Sequence, residues 1–555
     1  MKKCKLLFLA LIAVCAAFAE ERPVFRAGLL TDTHWTENPK SFARTEAALR
    51  IMKKEKVDMI CNLGDIADKH YASAYRYYRD ELFPKVFPEN PPRELFVYAN
   101  HDALRRSGAG GAVRSDIPGF FAALRRELGI SHAPDDRVVF KGYPFVIFQQ
   151  FVPQETMEKT LAETAREFPE GPIFVLDHVP APRGDANKNN KRRKVYDRYP
   201  RVVHIYGHVH MPLRDENAIW QDAYTSVGAG CLQNWRGYLV GTSPASKDCF
   251  EFAIMDVYRD KLVFRRFSTE DGREFKAPWV VPLPFDPATA PYDPKRRAAA
   301  TPAPAFAPDA ELKLKVNKPF SALFVTWPEA GQGEEAYKYY VRIAVKEADG
   351  KFREFARRDS YGEFYLAENK RKGKLSQRLS NGYFEPGKEY RVSVTPVGFF
   401  GREGAPITGT FTAPAEVREA ETVFESRDPM NELVFASGLT GRKPLQLENG
   451  FYRHKGGNAR LIIPKQYWAG KKGTRFRFTV DMDVRQDDGH AWTMVLRNHK
   501  PMHNANNRIL VGNGIGYRYV IEFSQRNAKY CYDLLIREGA PGSIRFNYVK
   551  IEKLK

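Results

Sequence analysis

Five short segments of the sequence carry side chains that hold metal ions or move protons: Asp32-Thr33-His34, Gly64-Asp65-Ile66-Ala67-Asp68, Asn100-His101-Asp102, Asp177-His178 and Gly207-His208-Val209-His210. Imidazole nitrogens mixed with carboxylate oxygens favour zinc, manganese or iron over calcium. The chemistry such a set serves is hydrolysis. A hydroxide nucleophile at neutral pH needs a Lewis acid, and two ions about 3.5–4 Å apart can share one while clamping the oxygens of a phosphate. Such a pair needs a bridging carboxylate, a role that suits Asp65. Gly64 and Gly207 remove side chains where the backbone must turn tightly beside the ions. Any one of these histidines alone reads as an ordinary polar or core residue. The set together does not.

The elements that must position these residues are legible in the apolar runs before them. Residues 25–31, 59–63, 95–99, 173–176 and 202–206 are apolar and read as buried strands. Stretches 42–54 and 73–83 carry apolar residues at helical spacing, and strands alternating with helices indicate an α/β domain. Residues 138–151, broken by Gly142-Tyr143-Pro144, read as a hairpin, and 224–239 and 250–267 add further strands. In an open α/β sheet, residues just past the carboxyl ends of the strands gather along one edge. The five motifs occupy that position, so they can converge across a long stretch of chain.

The order D-x-H, G-D-x-x-D, N-H-D, H and G-H-x-H resembles the calcineurin-like metallophosphoesterase family over about residues 22–285. The resemblance implies an α/β metallophosphoesterase sandwich at 20–285 and hydrolysis of a phosphate mono- or diester by a hydroxide bridging two divalent or trivalent ions (Mn, Zn or Fe). It implies one ion held by Asp32, His34, Asp65 and His210, and a second held by Asp65, Asn100, His178 and His208. His101 matches the histidine that touches the phosphate and protonates the leaving oxygen, with Asn100 beside it at the substrate. Asp102 is expected to orient that imidazole, and Asp68 to support the site without ligation. One departure is Ala99, where the family usually has glycine; alanine tolerates a positive φ less well. Two further residues are weaker candidates for substrate contact: Trp35, next to His34, and Arg193, which ends the basic run 183–193. A packed tryptophan and a solvated loop are the commoner meanings of such features. The Gly-rich segment 228–235 follows the last motif and is expected to wall the pocket, with Trp235 as a packing residue.

The rest of the chain reads differently. At 555 residues it exceeds one hydrophobic core. Residues 286–310 are rich in Pro and Ala, which suits an extended linker. Strand patterns at 323–327, 339–345 and 389–397, a Pro386-Gly387 turn and Tyr390 at a strand start make residues 311–414 similar to a fibronectin type III sandwich. Residues 415–555 read as a second all-β sandwich, and the ending 542–552 is similar to the last strand of carbohydrate-binding jelly rolls.

The first residues combine Lys2, Lys3 and Lys5, an apolar run at 6–16 and Ala17-Phe18-Ala19. That is the pattern of a signal peptide over 1–19, implying secretion or a periplasmic location, with no later stretch apolar enough to span a bilayer. Four cysteines remain beyond it, too few for a disulfide scaffold, and Cys231 and Cys249 either pair or stay as buried thiols. The net charge of +20 favours anionic partners: a phosphoester substrate, acidic polysaccharide, an anionic cell surface or nucleic acid. Besides a phosphoesterase, two other classes fit: a surface or glycan-binding protein whose C-terminal β modules attach to a polysaccharide or cell surface, with a minor or inactive phosphoesterase domain, and, prompted by the charge, a secreted nuclease.

Overall fold

The apolar runs that precede the motifs form the strands Phe25–Leu30, Met59–Asn62, Arg93–Phe96, Ile173–Asp177 and Val202–Tyr206. The computed structural model describes residues 22–555 except 70, 107–111, 115–116, 134, 182–189, 234–249, 438–442, 456, 487–491, 499–502, 512–513, 528 and 540–541. The export segment expected at 1–19, Trp235 and Cys249 lie outside the described residues. Within them the chain divides into two units, 22–233 with 250–296, and 297–555.

The first unit is built on two stacked sheets. One runs in the order Trp279–Pro282, Lys261–Ser268, Glu251–Val257, Phe25–Leu30, Met59–Asn62, Arg93–Phe96, with the short strand Gly230–Cys231 also paired to Glu251–Val257. The other runs Ile219–Gln221, Thr225–Gly228, Val202–Tyr206, Ile173–Asp177, Tyr143–Phe148, Arg137–Phe140. Phe25–Leu30, Met59–Asn62 and Arg93–Phe96 are mutually parallel, as are the four strands from Tyr143–Phe148 to Thr225–Gly228. Between the sheets, Ala27, Leu29, Cys61 and Leu95 meet Phe145, Ile147, Phe174 and Ile205 in one core. The strands are apolar on both sides because helices cover the outer faces: Ala43–Lys54 buries Ala48, Leu49 and Met52 on the first sheet, and Gln154–Glu167 buries Met157 and Leu161 on the second. The expected hairpin is the antiparallel pair Arg137–Phe140 and Tyr143–Phe148. The helix expected at 73–83 carries a π-turn at Tyr78–Leu82, just ahead of Pro84, whose missing N–H cannot continue the regular ladder.

The Pro/Ala-rich stretch departs from an extended linker. Residues Pro294–Ala300 are helical, with proline at the first position and Lys-Arg-Arg-Ala-Ala-Ala behind it, all good helix formers. Just before, Gln221 and Tyr292 exchange hydrogen bonds, Gln221 N–H to Tyr292 C=O at 3.0 Å and Tyr292 N–H to Gln221 Oε1 at 3.1 Å.

The second unit is all-β. Its first module packs Lys313–Val316, Ala322–Pro328 and Lys374–Ser380 against Phe352–Tyr361, Lys338–Lys346, Glu389–Val397 and Ile407–Thr412, with Trp327, Tyr339 and Val392 in the core. Tyr390 Oη accepts the Glu385 N–H at 2.7 Å, the corner contact that the Pro-Gly turn and following Tyr anticipate. The second module is a sandwich of two six-stranded sheets among the described residues, around Trp468, Phe476, Phe478 and Phe523. Among the described residues no helix is long and apolar enough to cross a membrane.

Candidate metal centre

The first motif follows Phe25–Leu30 and the second follows Met59–Asn62, and their backbones are laced together. Asp32 N–H donates to Gly64 C=O and His34 N–H to Asp65 C=O, both at 3.0 Å. The last motif closes on the first: His208 N–H donates to Asp32 Oδ2 at 2.8 Å, bridging 176 positions of sequence. Thr31 Oγ1 donates to the same oxygen at 2.8 Å. His101 N–H donates to Asp65 Oδ1 at 2.9 Å, which sets the 100–101 turn against Asp65.

These turns hold backbone that ordinary loops avoid. Asp32, His34, Asp65, His208 and His210 all take positive φ, between 46° and 73°. Non-glycine residues in this region are strained, and such strain concentrates where surrounding structure must aim functional side chains. Gly64 (φ +96°) lets His178 approach, since a Cβ there would sit 2.8 Å from His178 Nδ1. Gly207 is needed for space, not for a left-handed turn: its Cβ would fall 1.8 Å from Thr31 Oγ1. Ala99 does not take a positive φ, so its replacement of glycine leaves the loop unstrained.

Two clusters result, Asp32, His34, Asp65 and His210, all buried, and Asp65, His178 and His208, of which His208 is partly exposed, with Asp65 common to both. Asp65 Oδ2 lies 3.8 Å from His34 Nε2 and 3.2 Å from His178 Nε2. His34 Nε2 and His210 Nε2 are 3.3 Å apart, and His178 Nε2 and His208 Nδ1 are 3.1 Å apart. Two nitrogens bound tetrahedrally to one zinc-sized ion would be separated by about 3.3 Å. His178 faces the Leu63 carbonyl oxygen with Nδ1 at 2.7 Å, which turns Nε2 toward Asp65. Two buried oxygens of the ligand type, Asp32 Oδ1 and Asn100 Oδ1, have no hydrogen bond among the described residues. Buried polar atoms are nearly always satisfied, so converging lone pairs and orphaned oxygens fit a pair of cations.

Electrostatics agree. Burial alone would raise the Asp65 carboxyl, but His178 and His34 pull it down to about 2. Asp32, also buried, is held well below the usual carboxylate range by His210 and His34. Burial and the neighbouring His178 push His208 down to about 4, which leaves its nitrogen unprotonated at neutral pH.

Three expectations are corrected. Asp102 does not orient His101: it is fully buried, and its carboxylate accepts the Ala67 N–H (3.0 Å), the Ala99 N–H (3.1 Å) and the Tyr75 hydroxyl (3.3 Å). Asp68 faces the His101 imidazole instead, with Oδ1 at 3.2 Å from Nδ1. Trp35 is no substrate contact, being fully buried, stacked on Phe42 and Tyr78, and donating Nε1–H to Thr45. Arg193 is 1 % exposed, ion-paired to Asp197 and Asp222 and set against Trp220 and Tyr224. His101 itself remains partly exposed beside the clusters, its ring 4.5 Å from that of His34. Among the described residues Cys231 forms no disulfide, and it is a buried thiol against His210. That contact and the Thr31 hydroxyl are site features the motifs alone do not reveal.

Residues 25–212 match the family model for calcineurin-like phosphoesterases. Among solved structures, the chain is similar to a dimetal phosphatase from Danio rerio, at 13 % identity over 46 % of this chain and 98 % of that one, with a TM-score of 0.29. It is similar to purple acid phosphatase from yellow lupin (Lupinus luteus) seeds, at 13 % identity over 46 % of this chain and 53 % of that one, with a TM-score of 0.32. It is also similar to the third fibronectin III domain of a human protein, at 17 % identity over 20 % of this chain and 84 % of that one, with a TM-score of 0.15. No curated protein matches the chain.

Proposed function

We propose that the first unit hydrolyses phosphate mono- or diesters with two metal ions, one held by Asp32, His34, Asp65 and His210 and the other by Asp65, Asn100, His178 and His208. The observation that carries this reading is the Asp65 carboxylate shared by two histidine clusters, with Asp32 Oδ1 and Asn100 Oδ1 left without hydrogen bonds from the described residues beside them. When bound, the ions supply Lewis acidity, activating water and offsetting the charge of the phosphate.

The chain's own residues do the rest. The laced turns fix the ligands before substrate arrives, so little reorganisation accompanies the reaction. Asp68 accepts the His101 Nδ1–H, which fixes the ring so that, in its imidazolium form, the proton on Nε2 passes to the departing oxygen and leaves a neutral imidazole. The pattern of residues 1–19 supports export, and N-terminal sequencing of the protein recovered outside the cytoplasm checks it.

The test is hydrolysis of paired p-nitrophenyl mono- and diesters by metal-depleted protein after adding manganese, zinc or iron, beside a His208→Ala control. Activity that returns with metal and is missing in the control supports the reading, and the preferred ester sets the substrate branch. Protein that binds no ion under these conditions overturns it.

A further inference from the structure

The segment Gly230–Gln233 is anchored with more care than a pocket wall requires. Gly230 and Cys231 pair with Phe252 and Glu251. Gly230 takes φ +89°, and a Cβ there would lie 2.3 Å from the Glu251 carbonyl oxygen, so a larger residue would push the segment away. Leu232 N–H donates to Thr31 C=O at 3.3 Å, one residue before Asp32. From the other side, Arg44 Nη1 donates to the Leu232 carbonyl at 3.4 Å and to Gln233 Oε1 at 3.2 Å.

This anchoring delivers Cys231, 2 % exposed, to the outer nitrogen of His210: Sγ lies 3.1 Å from Nδ1. The thiol donates its hydrogen to the Gln233 carbonyl at 2.9 Å and accepts the Gln233 N–H at 3.2 Å. With its hydrogen directed at Gln233, the sulfur offers His210 its lone pairs, an arrangement that takes the proton on Nδ1. Nε2 is then bare. It is Nε2 that lies 3.1 Å from Asp32 Oδ1, which has no hydrogen bond among the described residues, and 3.3 Å from His34 Nε2.

We propose that Cys231 is a positioning residue for His210: its sulfur accepts the Nδ1–H bond that metal-binding histidines usually give to a carboxylate, a carbonyl or water, and so presents Nε2 to the ion shared with Asp32, His34 and Asp65. The proposal rests on the two-metal reading of the site. Outer partners of this kind fix ring orientation and tautomer. The other histidines use different ones, His178 the Leu63 carbonyl at 2.7 Å and His34 the Asp68 carboxylate at 3.3 Å. Sulfur is a weaker and more diffuse acceptor than either oxygen. Cys231 therefore acts on one ion of the pair only.

The test uses the full chain, stripped of metal and titrated with cobalt(II), followed by calorimetry and absorption. Cys231→Ala and Cys231→Val both remove the acceptor, the second nearly preserving volume; Cys231→Ser restores one. The expected result is two ions in the unaltered protein and a 10–100-fold weaker affinity at one site only in the Ala and Val variants. The other site should be unchanged, recovery in Cys231→Ser partial, and no thiolate-to-cobalt band seen. Unchanged affinities in both apolar variants overturn the proposal. So does a thiolate-to-cobalt band, which would make Cys231 a ligand. An equal loss at both sites, with a lower unfolding midpoint of the metal-free protein, would reduce it to packing. Unaltered protein that takes up no ion overturns the two-metal reading itself, and the proposal with it.

Discussion

Asp68 Oδ1 lies 3.2 Å from Nδ1 of His101, and the same oxygen lies 3.3 Å from Nδ1 of His34. One carboxylate thus ties the candidate proton donor to a candidate metal ligand. Hydrogen bonds from His101 and His34 hold the Asp68 carboxyl well below the usual carboxylate range, so it stays anionic at neutral pH. Removing that charge while keeping the shape isolates its role. Asp68→Asn is expected to lower kcat by about 10–100-fold with KM little changed, because general-acid assistance contributes about 10²–10⁴-fold and only part of it is lost. Steady-state kinetics on a poor leaving group check this. A good leaving group needs no proton, so its rate should fall less; equal losses on both would count against the assignment.

Asp102 predicts the opposite phenotype. Its carboxylate accepts two buried backbone N–H groups, from Ala67 and Ala99, besides the Tyr75 hydroxyl. Asp102→Ala leaves those donors without partners, at about 1–3 kcal/mol each. Unfolding of the first unit in denaturant should shift by about 2–5 kcal/mol on that count. Whatever folded fraction remains should retain most of its metal affinity. A variant of native stability and absent activity would return Asp102 to a catalytic role.

Gly207 tests whether the site depends on close backbone approach. Its missing Cβ would sit 1.8 Å from Thr31 Oγ1 and 2.8 Å from Asp32 Oδ2. Gly207→Ala must therefore displace Asp32, the residue that receives the His208 N–H at 2.8 Å. Overpacking of this kind costs about 1–3 kcal/mol, and here the displaced group is a candidate ligand, so metal stoichiometry should fall as well. Gly331→Ala, where a Cβ meets nothing within 4 Å, is the control. Full metal loading in Gly207→Ala would show that the turn has slack.

What the sequence revealed, and what it concealed, follows from how each residue is held. The strand Val202–Tyr206 and the convergence of the Asp and His motifs were legible because apolar runs and motif order are local properties. Roles assigned by sequence adjacency failed. Asp102 directly follows His101, yet neighbouring side chains point apart and its own turns into the core. Trp35 directly follows His34, yet it stacks between Phe42 and Tyr78. Arg193 ends a basic run, yet it lies 1 % exposed between two acids and two rings. Cys231 was invisible for a different reason. Its contact with His210 depends on the pairing of Gly230–Cys231 with a distant strand, and no spacing encodes that. The helix at Pro294–Ala300 was missed because proline content suggested extension, whereas a proline at the first helical position favours the helix.

One buried histidine, His204, lies outside the metal set. His204 is fully buried in the strand Val202–Tyr206, its Nδ1 3.0 Å from Ser226 Oγ and its ring between those of Tyr196 and Tyr206. Burial pushes its pKa down to about 4, with the nearby Arg192 lowering it further and Asp177 opposing. In the unfolded chain it titrates near about 6.5. Between these values the unfolded state binds a proton that the folded state refuses, so stability is lost as pH falls through that window and is fully present above it. The whole contribution is about 3 kcal/mol. His204→Phe removes the titration and keeps a ring of similar shape, at the price of the Ser226 hydrogen bond, about 1 kcal/mol at every pH. With metal removed and salt held constant, unaltered protein should lose stability relative to His204→Phe as pH is lowered from 7 to 4.5. His178 and His208 are common to both proteins and cancel in the difference, and Asp177, which His204 helps to hold below the usual carboxylate range, titrates below the window. Parallel stability curves over that range would mean that His204 is protonated in the folded state, and that its burial is offset by Asp177.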